Sequence, residues 1–320
     1  MIISRTPLRI SFAGGMTDIP KYYEKDYGAV TSTTINKYIY VTINEKFAGK
    51  SRIVYKKFED VDSIDQISHP IIRECLKYLD IKDTIEITTI ADVPGGTGLG
   101  SSSAFTVGLL NALHKYQGYN ANPKELAEEA CHIEIDILKE PIGKQDQYAC
   151  AFGGLNYIIF TKDEVEVKPI LLPERDLKFL NTSLSLHYTN IIRSASNLLK
   201  KQTTNMDYML LLKMRAMAEN MYHHLARKDG NFKAFGECLH QAWKLKRQVE
   251  GVSNVIINKC YEKAREKGAI GGKLCGAGSG GFLLIMSDLS KQWCIKTVLK
   301  DLKELNFKFE KDGSKIVYES

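Results

Sequence analysis

The sequence predicts an α+β fold built in two parts, and three observations carry that expectation. The first 60 residues alternate apolar and polar side chains in several short runs. A glycine- and serine-rich stretch at 94–104 joins a β run to a helical one, and beyond residue 190 long helical patterns surround a small sheet. Strands and helices grouped in this way, without a steady βαβ alternation, mark an α+β architecture. Two domains are expected, 1–170 and 171–320, with the boundary near Pro173 and the polar residues around it.

In order, residues 8–12, 38–44 and 53–58 read as strands, 71–79 as a short amphipathic helix, and 85–90 as a β run that feeds the glycine-rich loop. Residues 104–116 have helical periodicity. Asn122 followed by Pro123 supplies an N-cap and a proline at the first helical position, so a helix is expected over 123–139, closed by Pro141 and Gly143. Residues 155–160 are β again. Helices follow at about 191–201, 205–227, 231–249 and 254–267, then the glycine-rich run 271–281, a strand over 282–286, a helix over about 290–304 and an alternating end.

Hydrophobic residues at 44% and charged residues at 26% sit near the averages of globular folds, which excludes disorder and fibrous architectures. The start carries Arg5 and Arg9 inside a short apolar stretch and lacks the pattern of a secretory signal. No apolar run reaches the roughly 18 residues of a membrane span, so a cytoplasmic protein is expected. The seven cysteines (75, 131, 150, 238, 260, 275, 294) are scattered and include no CxxC pair, which writes neither a disulfide framework nor a zinc site. The net charge of +6 comes from lysines intermixed with acids. Runs such as Lys244 to Arg247 are read as solvated helix faces rather than a nucleic-acid footprint.

The loop Pro94-Gly95-Gly96-Thr97-Gly98-Leu99-Gly100-Ser101-Ser102-Ser103-Ala104 carries the chemistry. Its glycines permit positive φ and close backbone approach, while the serines and a helix N-terminus favour an anion. The Walker pattern is excluded because Ser101, not lysine, follows Gly100; the even spacing of Gly96, Gly98 and Gly100 fits the dinucleotide fingerprint poorly. A plain flexible turn before a helix is the competing reading, weakened by the triple serine.

This loop resembles the second motif of the GHMP kinases, the family of galactokinase, homoserine kinase, mevalonate kinase and phosphomevalonate kinase. Residues 7–18, Pro-Leu-Arg-Ile-Ser-Phe-Ala-Gly-Gly-Met-Thr-Asp, are similar to the family's first motif in its sugar-kinase form, with Met16 where a third glycine is usual. Residues 273–281 are similar to the third motif. The first motif, taken with Gly143-Lys144-Gln145-Asp146-Gln147, is most similar to the heptose-phosphate kinase branch. The resemblance implies a two-domain GHMP fold with the active site between an ATP-loop domain and a helix-rich domain. It also implies ATP and Mg²⁺ as cofactors and phosphorylation of the anomeric hydroxyl of a sugar phosphate. Another acceptor (galactose, fucose or mevalonate type) and a catalytically silent sugar sensor stay open. The partners expected are a small-molecule sugar phosphate and ATP, with no nucleic acid and no membrane; a homodimer is left open.

The site residues follow from residue chemistry and the resemblance together. Glu134 interrupts the apolar stripe Leu126, Ala130, Leu138, a costly position for a carboxylate unless it is paired, binds metal or reaches solvent; the resemblance implies Mg²⁺ binding, with Ser101 or Ser102 as second ligand. Asp146, in a short polar loop, matches the catalytic aspartate. Arg9, in an apolar β run, matches the motif arginine set near the transferred phosphoryl group. The phosphates of ATP are assigned to the loop residues 94–96 and 98–103. Gly14, Gly15, Thr17 and Asp18 match the substrate end of the first motif, and Gly278 belongs to the third. Arg193, with Thr189 in the same segment, and Lys144 are the candidates for holding the sugar's phosphate; an ordinary surface charge is the alternative for each.

Overall fold

The computed structural model describes residues 1–82, 84–191, 195–204, 206–227 and 231–320. The chain opens with β1 (Ile2–Ala13), α1 (Pro20–Tyr23), the long β2 (Gly28–Glu45), β3 (Ser51–Val54), β4 (Phe58–Val61), α2 (Pro70–Tyr78) and β5 (Ile85–Ala91). The glycine-rich loop then leads into α3 (Ser101–Tyr116), followed by α4 (Pro123–Cys131), a π-helical turn (His132–Ile137), α5 (Gln145–Phe152), β6 (Leu155–Phe160) and β7 (Val165–Pro169). The second half holds α6 (Glu174–Ser183), β8 (Leu184–Tyr188), α7 (Ala195–Thr204), α8 (Tyr208–Ala226), α9 (Phe232–Lys246) and α10 (Val255–Glu266). It closes with β9 (Ala269–Leu274), β10 (Phe282–Ser287), α11 (Leu289–Val298), β11 (Lys303–Leu305), β12 (Phe309–Glu310) and β13 (Lys315–Glu319).

One sheet runs β13-β1-β2-β5-β3-β4, with β6 and β12 also on β2 and β7 on β6; the smaller sheet runs β11-β8-β10-β9. β1 lies antiparallel to β2, and its register slips between Pro7 and Leu8, where proline has no N–H for the ladder. From Thr6 to Ala13 every β1 residue is buried, because α3 and α5 of the first half and α8 and α9 of the second all pack against it. This continuous burial sets Arg9 deep between the two halves, where an alternating strand would have left it facing solvent.

Four expectations are corrected. The alternating C-terminal end does not stay with residues 171–308: β12 pairs with β2, and β13 covers β1, which would otherwise be an open edge. The 53–58 run is not one strand: Ile53 and Val54 end β3, residues 55–57 turn, with the Tyr55 N–H on the Lys57 carbonyl, and Phe58 begins β4. The 290–304 helix ends at Val298, and β11 follows. The 123–139 helix changes pitch at His132, where the Leu138 N–H reaches the Ile133 carbonyl, five residues back. No helix among the described residues is long and apolar enough to cross a membrane.

Candidate active site

A cleft of about 250 Å³ opens between the halves, and the glycine-rich loop forms one wall through Gly96, Gly98, Gly100, Ser101, Ser102 and Ser103. Pro94, Gly95 and Leu99 belong to the loop but not to that wall; Leu99 is wholly buried. The loop is pinned from both sides: the Arg9 N–H donates to the Leu99 carbonyl at 3.0 Å, and the Phe282 N–H donates to the Thr97 carbonyl at 3.2 Å. At Gly98 φ is +85°, and a Cβ would stand 2.5 Å from the Cys275 carbonyl oxygen. Only glycine lets the loop lie this close to the third motif, which braces it.

Arg9 is 4% exposed. Its Nε and Nη2 donate to the two oxygens of Asp146, each at 2.7 Å, and Nη1 donates to the Gly98 carbonyl at 2.7 Å. Burial works against the guanidinium's charge, but Asp146's charge and hydrogen bonds outweigh it and raise the Arg9 pKa. The fork is therefore occupied by Asp146 and the loop, so Arg9 orients the carboxylate as well as adding charge to the cleft. Asp146 does not lie in a loop as expected. It stands in the first turn of α5, a helix formed because Tyr148, Ala149, Cys150 and Ala151 bury together and Gly153 ends it at positive φ.

Glu134 is 1% exposed and sits in the π-helical turn. Its carboxylate accepts from Ser103 Oγ (2.8 Å), Thr106 Oγ1 (3.1 Å), Ser102 Oγ (3.2 Å) and Gln147 Nε2 (2.6 Å). Burial nevertheless pushes its pKa up to about 7, against the pull of those donors. A cation in the cleft would offset that cost. Ser103, 3% exposed, is turned inward to Glu134, whereas Ser101 and Ser102 stand partly open at the start of α3.

Asp18 also lines the cleft and accepts from the backbone N–H groups of Met16 (2.9 Å) and Gln145 (3.1 Å) and from Gln145 Nε2 (3.2 Å). Burial first, and then Asp146's charge, raise its pKa to about 6. A Cβ on Gly143 would lie 2.0 Å from Asp18 Oδ2, so the glycine is what lets the carboxylate approach this loop. Met16 holds φ of +80°, the conformation that the usual third glycine would adopt without steric cost, and packs with Ile19, Tyr22 and Met214.

Several anticipated substrate residues do not line the cleft. The Thr17 hydroxyl donates to the Gly14 carbonyl, and the Thr189 hydroxyl donates to the Gly281 carbonyl. Gly14 packs against Ala29, Gly278 against Val252, and the Lys144 ammonium lies over the Tyr23 ring at 5.0 Å. Gly15 does face the cleft. Arg193 lies outside the described residues. Sequence reasoning missed Ser11, Gln145 and Lys246, all on the wall. Lys246 corrects the solvated reading of 244–247: it is 6% exposed and donates to the Gly276 carbonyl at 2.5 Å. It continues the buried stripe Phe235, Leu239, Ala242 of α9, so the test that singled out Glu134 would have found it.

The chain matches the family models "GHMP kinases N terminal domain" over residues 69–154 and "GHMP kinases C terminal" over residues 217–292. It is 33% identical to the D-glycero-alpha-D-manno-heptose 7-phosphate kinase of Campylobacter jejuni, over 98% of each chain. It is 24% identical to a galactokinase of Thermotoga neapolitana, over 95% of this chain and 96% of that one. The crystal structure of a D-glycero-D-manno-heptose 1-phosphate kinase from Bacteroides thetaiotaomicron superposes over the whole of both chains with a TM-score of 0.83 at 25% identity. With the glycine-rich loop, the Arg9–Asp146 pair and the buried Glu134 gathered on one cleft, the chain belongs to the GHMP kinase family and is an ATP-dependent phosphotransferase with an alcohol group as acceptor.

Proposed function

We propose that the protein transfers the γ-phosphoryl group of ATP to the anomeric C1 hydroxyl of D-glycero-D-manno-heptose 7-phosphate, giving the 1,7-bisphosphate. The observation that carries this reading is the Asp146 carboxylate, gripped at 2.7 Å on both oxygens by Arg9 beside the phosphate loop. The choice of acceptor is supported by the similarity, over 98% of each chain, to a heptose 7-phosphate kinase. An anomeric hydroxyl is more acidic than an ordinary alcohol, which suits a carboxylate base. The acceptor oxygen forms the new bond to the γ-phosphorus as the bond to the β–γ bridging oxygen breaks. The hydroxyl proton passes to Asp146, and ADP leaves with the bridging oxygen.

The donor phosphates are assigned to the loop over 94–103 and the N-terminus of α3. The residues also fit Mg²⁺: Glu134 is a buried carboxylate whose pKa of about 7 records an environment short of positive charge, and Ser102 sets a hydroxyl beside it. Among the described residues no three His, Cys, Asp or Glu groups cluster, and Mg²⁺ is commonly held by one or two carboxylates with the substrate's own phosphates. When bound it would neutralise phosphate charge. For the acceptor's phosphate, Lys246 is the cation of the described wall besides Arg9.

A panel of heptose 7-phosphate, heptose 1-phosphate, galactose, fucose and mevalonate with Mg-ATP, read by phosphorus NMR, tests the proposal. A new phosphate ester at C1 of the 7-phosphate is the expected result. Preferential turnover of an unphosphorylated acceptor would overturn it.

A further inference from the structure

The acceptor wall holds two oxygens for which the mechanism has no use. Ser11 Oγ and Gln145 Oε1 are both buried and have no hydrogen-bond partner, and both residues line the cleft. Ser11 is 5% exposed; a polar atom buried that deeply without a partner is uncommon and costly. The Gln145 amide is not free to turn. Its Nε2 donates to Asp18 Oδ1, and reversing it would set the amide oxygen against a carboxylate that only accepts. Oε1 is therefore held as an acceptor.

Gly15 lies between them. An ideal Cβ on Gly15 would stand 3.6 Å from Gln145 Nε2, 3.9 Å from Ser11 Oγ and 4.0 Å from Gln145 Oε1. These are ordinary contact distances, and φ at Gly15 is not in the positive region. At Gly98 or Gly143 a Cβ would collide with the protein, whereas at Gly15 it would fill space that the protein leaves open. Neither backbone conformation nor packing explains this glycine, and what its missing side chain provides is room beside two unpaired oxygens.

We propose that Ser11 Oγ, Gln145 Oε1 and the bare Cα of Gly15 form a subsite that reads one hydroxyl of the acceptor sugar. The hydroxyl donates to Gln145 Oε1 and accepts from Ser11 Oγ, so both orphaned atoms are satisfied by one group. Asp18 acts here as a positioning residue. Three hydrogen bonds already fill most of its carboxylate's roughly four acceptor sites, one of them from the Gln145 amide that it aims. Ser11 shares the inward face of β1 with Arg9, two residues away, so the hydroxyl that is read sits close to the one that is phosphorylated.

The proposal rests on the sugar-phosphate reading above, and its test separates the two. Steady-state kinetics with Mg-ATP and heptose 7-phosphate are compared for the wild type, Gly15→Ala and Ser11→Ala, together with monodeoxy analogues of the sugar. Gly15→Ala should raise the acceptor KM at least tenfold, with the ATP KM and the melting temperature unmoved. One deoxy analogue should be penalised on the order of 10²-fold or more by the wild type and far less by Ser11→Ala. If water alone occupies the niche, Gly15→Ala and Ser11→Ala leave the acceptor KM unchanged and the subsite is refuted; equal rises in both KM values also refute it. If heptose phosphate is not a substrate, the acceptor reading falls, and the same KM split on whichever panel sugar is turned over decides the subsite.

Discussion

Beside the glycine-rich loop, Arg9 and Asp146 hold each other and Glu134 is held by serine, threonine and glutamine donors, while toward Asp18 the neighbouring Ser11 and Gln145 keep oxygens without partners. The donor side is arranged before any ligand arrives, as electrostatic stabilisation of a phosphoryl group requires. The acceptor side is completed by the molecule it binds. Substitutions should sort accordingly: those on the donor side should fall on kcat, and those on the acceptor side on one KM.

The largest effect should come from Asp146→Asn, which keeps the shape and the Arg9 contact in part but removes the base. A fall in kcat of about 10²- to 10⁴-fold is expected, measured as initial rates at saturating ATP and acceptor. Near-normal turnover would remove Asp146 from proton transfer. On the other wall, Lys246→Met should raise KM for a sugar phosphate by about 10- to 100-fold, the range of a lost hydrogen bond to a charged group, and leave KM for ATP unchanged. A rise for ATP instead would move Lys246 to the donor side.

Asp18 gives a smaller, pH-dependent effect. With its pKa near 6, the carboxylate that steadies Gln145 becomes protonated below that pH. Acceptor kcat/KM should then fall by up to about tenfold per pH unit below 6, and Asp18→Asn should flatten that limb. Glu134→Gln gives the finest test, because it opposes activity to stability. The native carboxyl keeps its proton up to about pH 7 and the unfolded one only to 4.5. The wild type therefore loses stability as pH rises through that window, by roughly 3 kcal/mol at about 1.4 kcal/mol per unit. Glu134→Gln escapes this loss, so its melting temperature should exceed the wild type's at pH 8 and converge with it at pH 4. Added Mg²⁺ should stabilise the wild type and not the variant.

The two sides also differ in how far they could be read from the sequence. The glycine-rich turn into α3 is legible because its information is local: glycines for the turn, serines for the helix start, a β run before and a helical run after. Glu134 was legible as a charge on an apolar stripe. Lys246 carried the same signal on α9, yet its basic neighbours made it look like part of a solvated face. The polar run Gly143 to Gln147 predicts a loop at Asp146, whereas the burial of Tyr148 to Ala151 that makes α5 is a tertiary matter. Ser11 gave no signal of its own, since a serine on a strand is unremarked until its surroundings are known.

By itself, then, the sequence determined the α+β class, the glycine-rich turn that opens α3 and the carboxylate on the apolar stripe at Glu134. Each of these is written within a few residues, in backbone preference and periodicity. Tertiary structure alone decided that Arg9 clamps a carboxylate 137 residues away, that β13 returns to cover β1, and that Ser11, Gly15 and Gln145 surround one open space. Contacts between distant segments depend on how whole elements bury against each other, and no local pattern records which side chain will be left facing which.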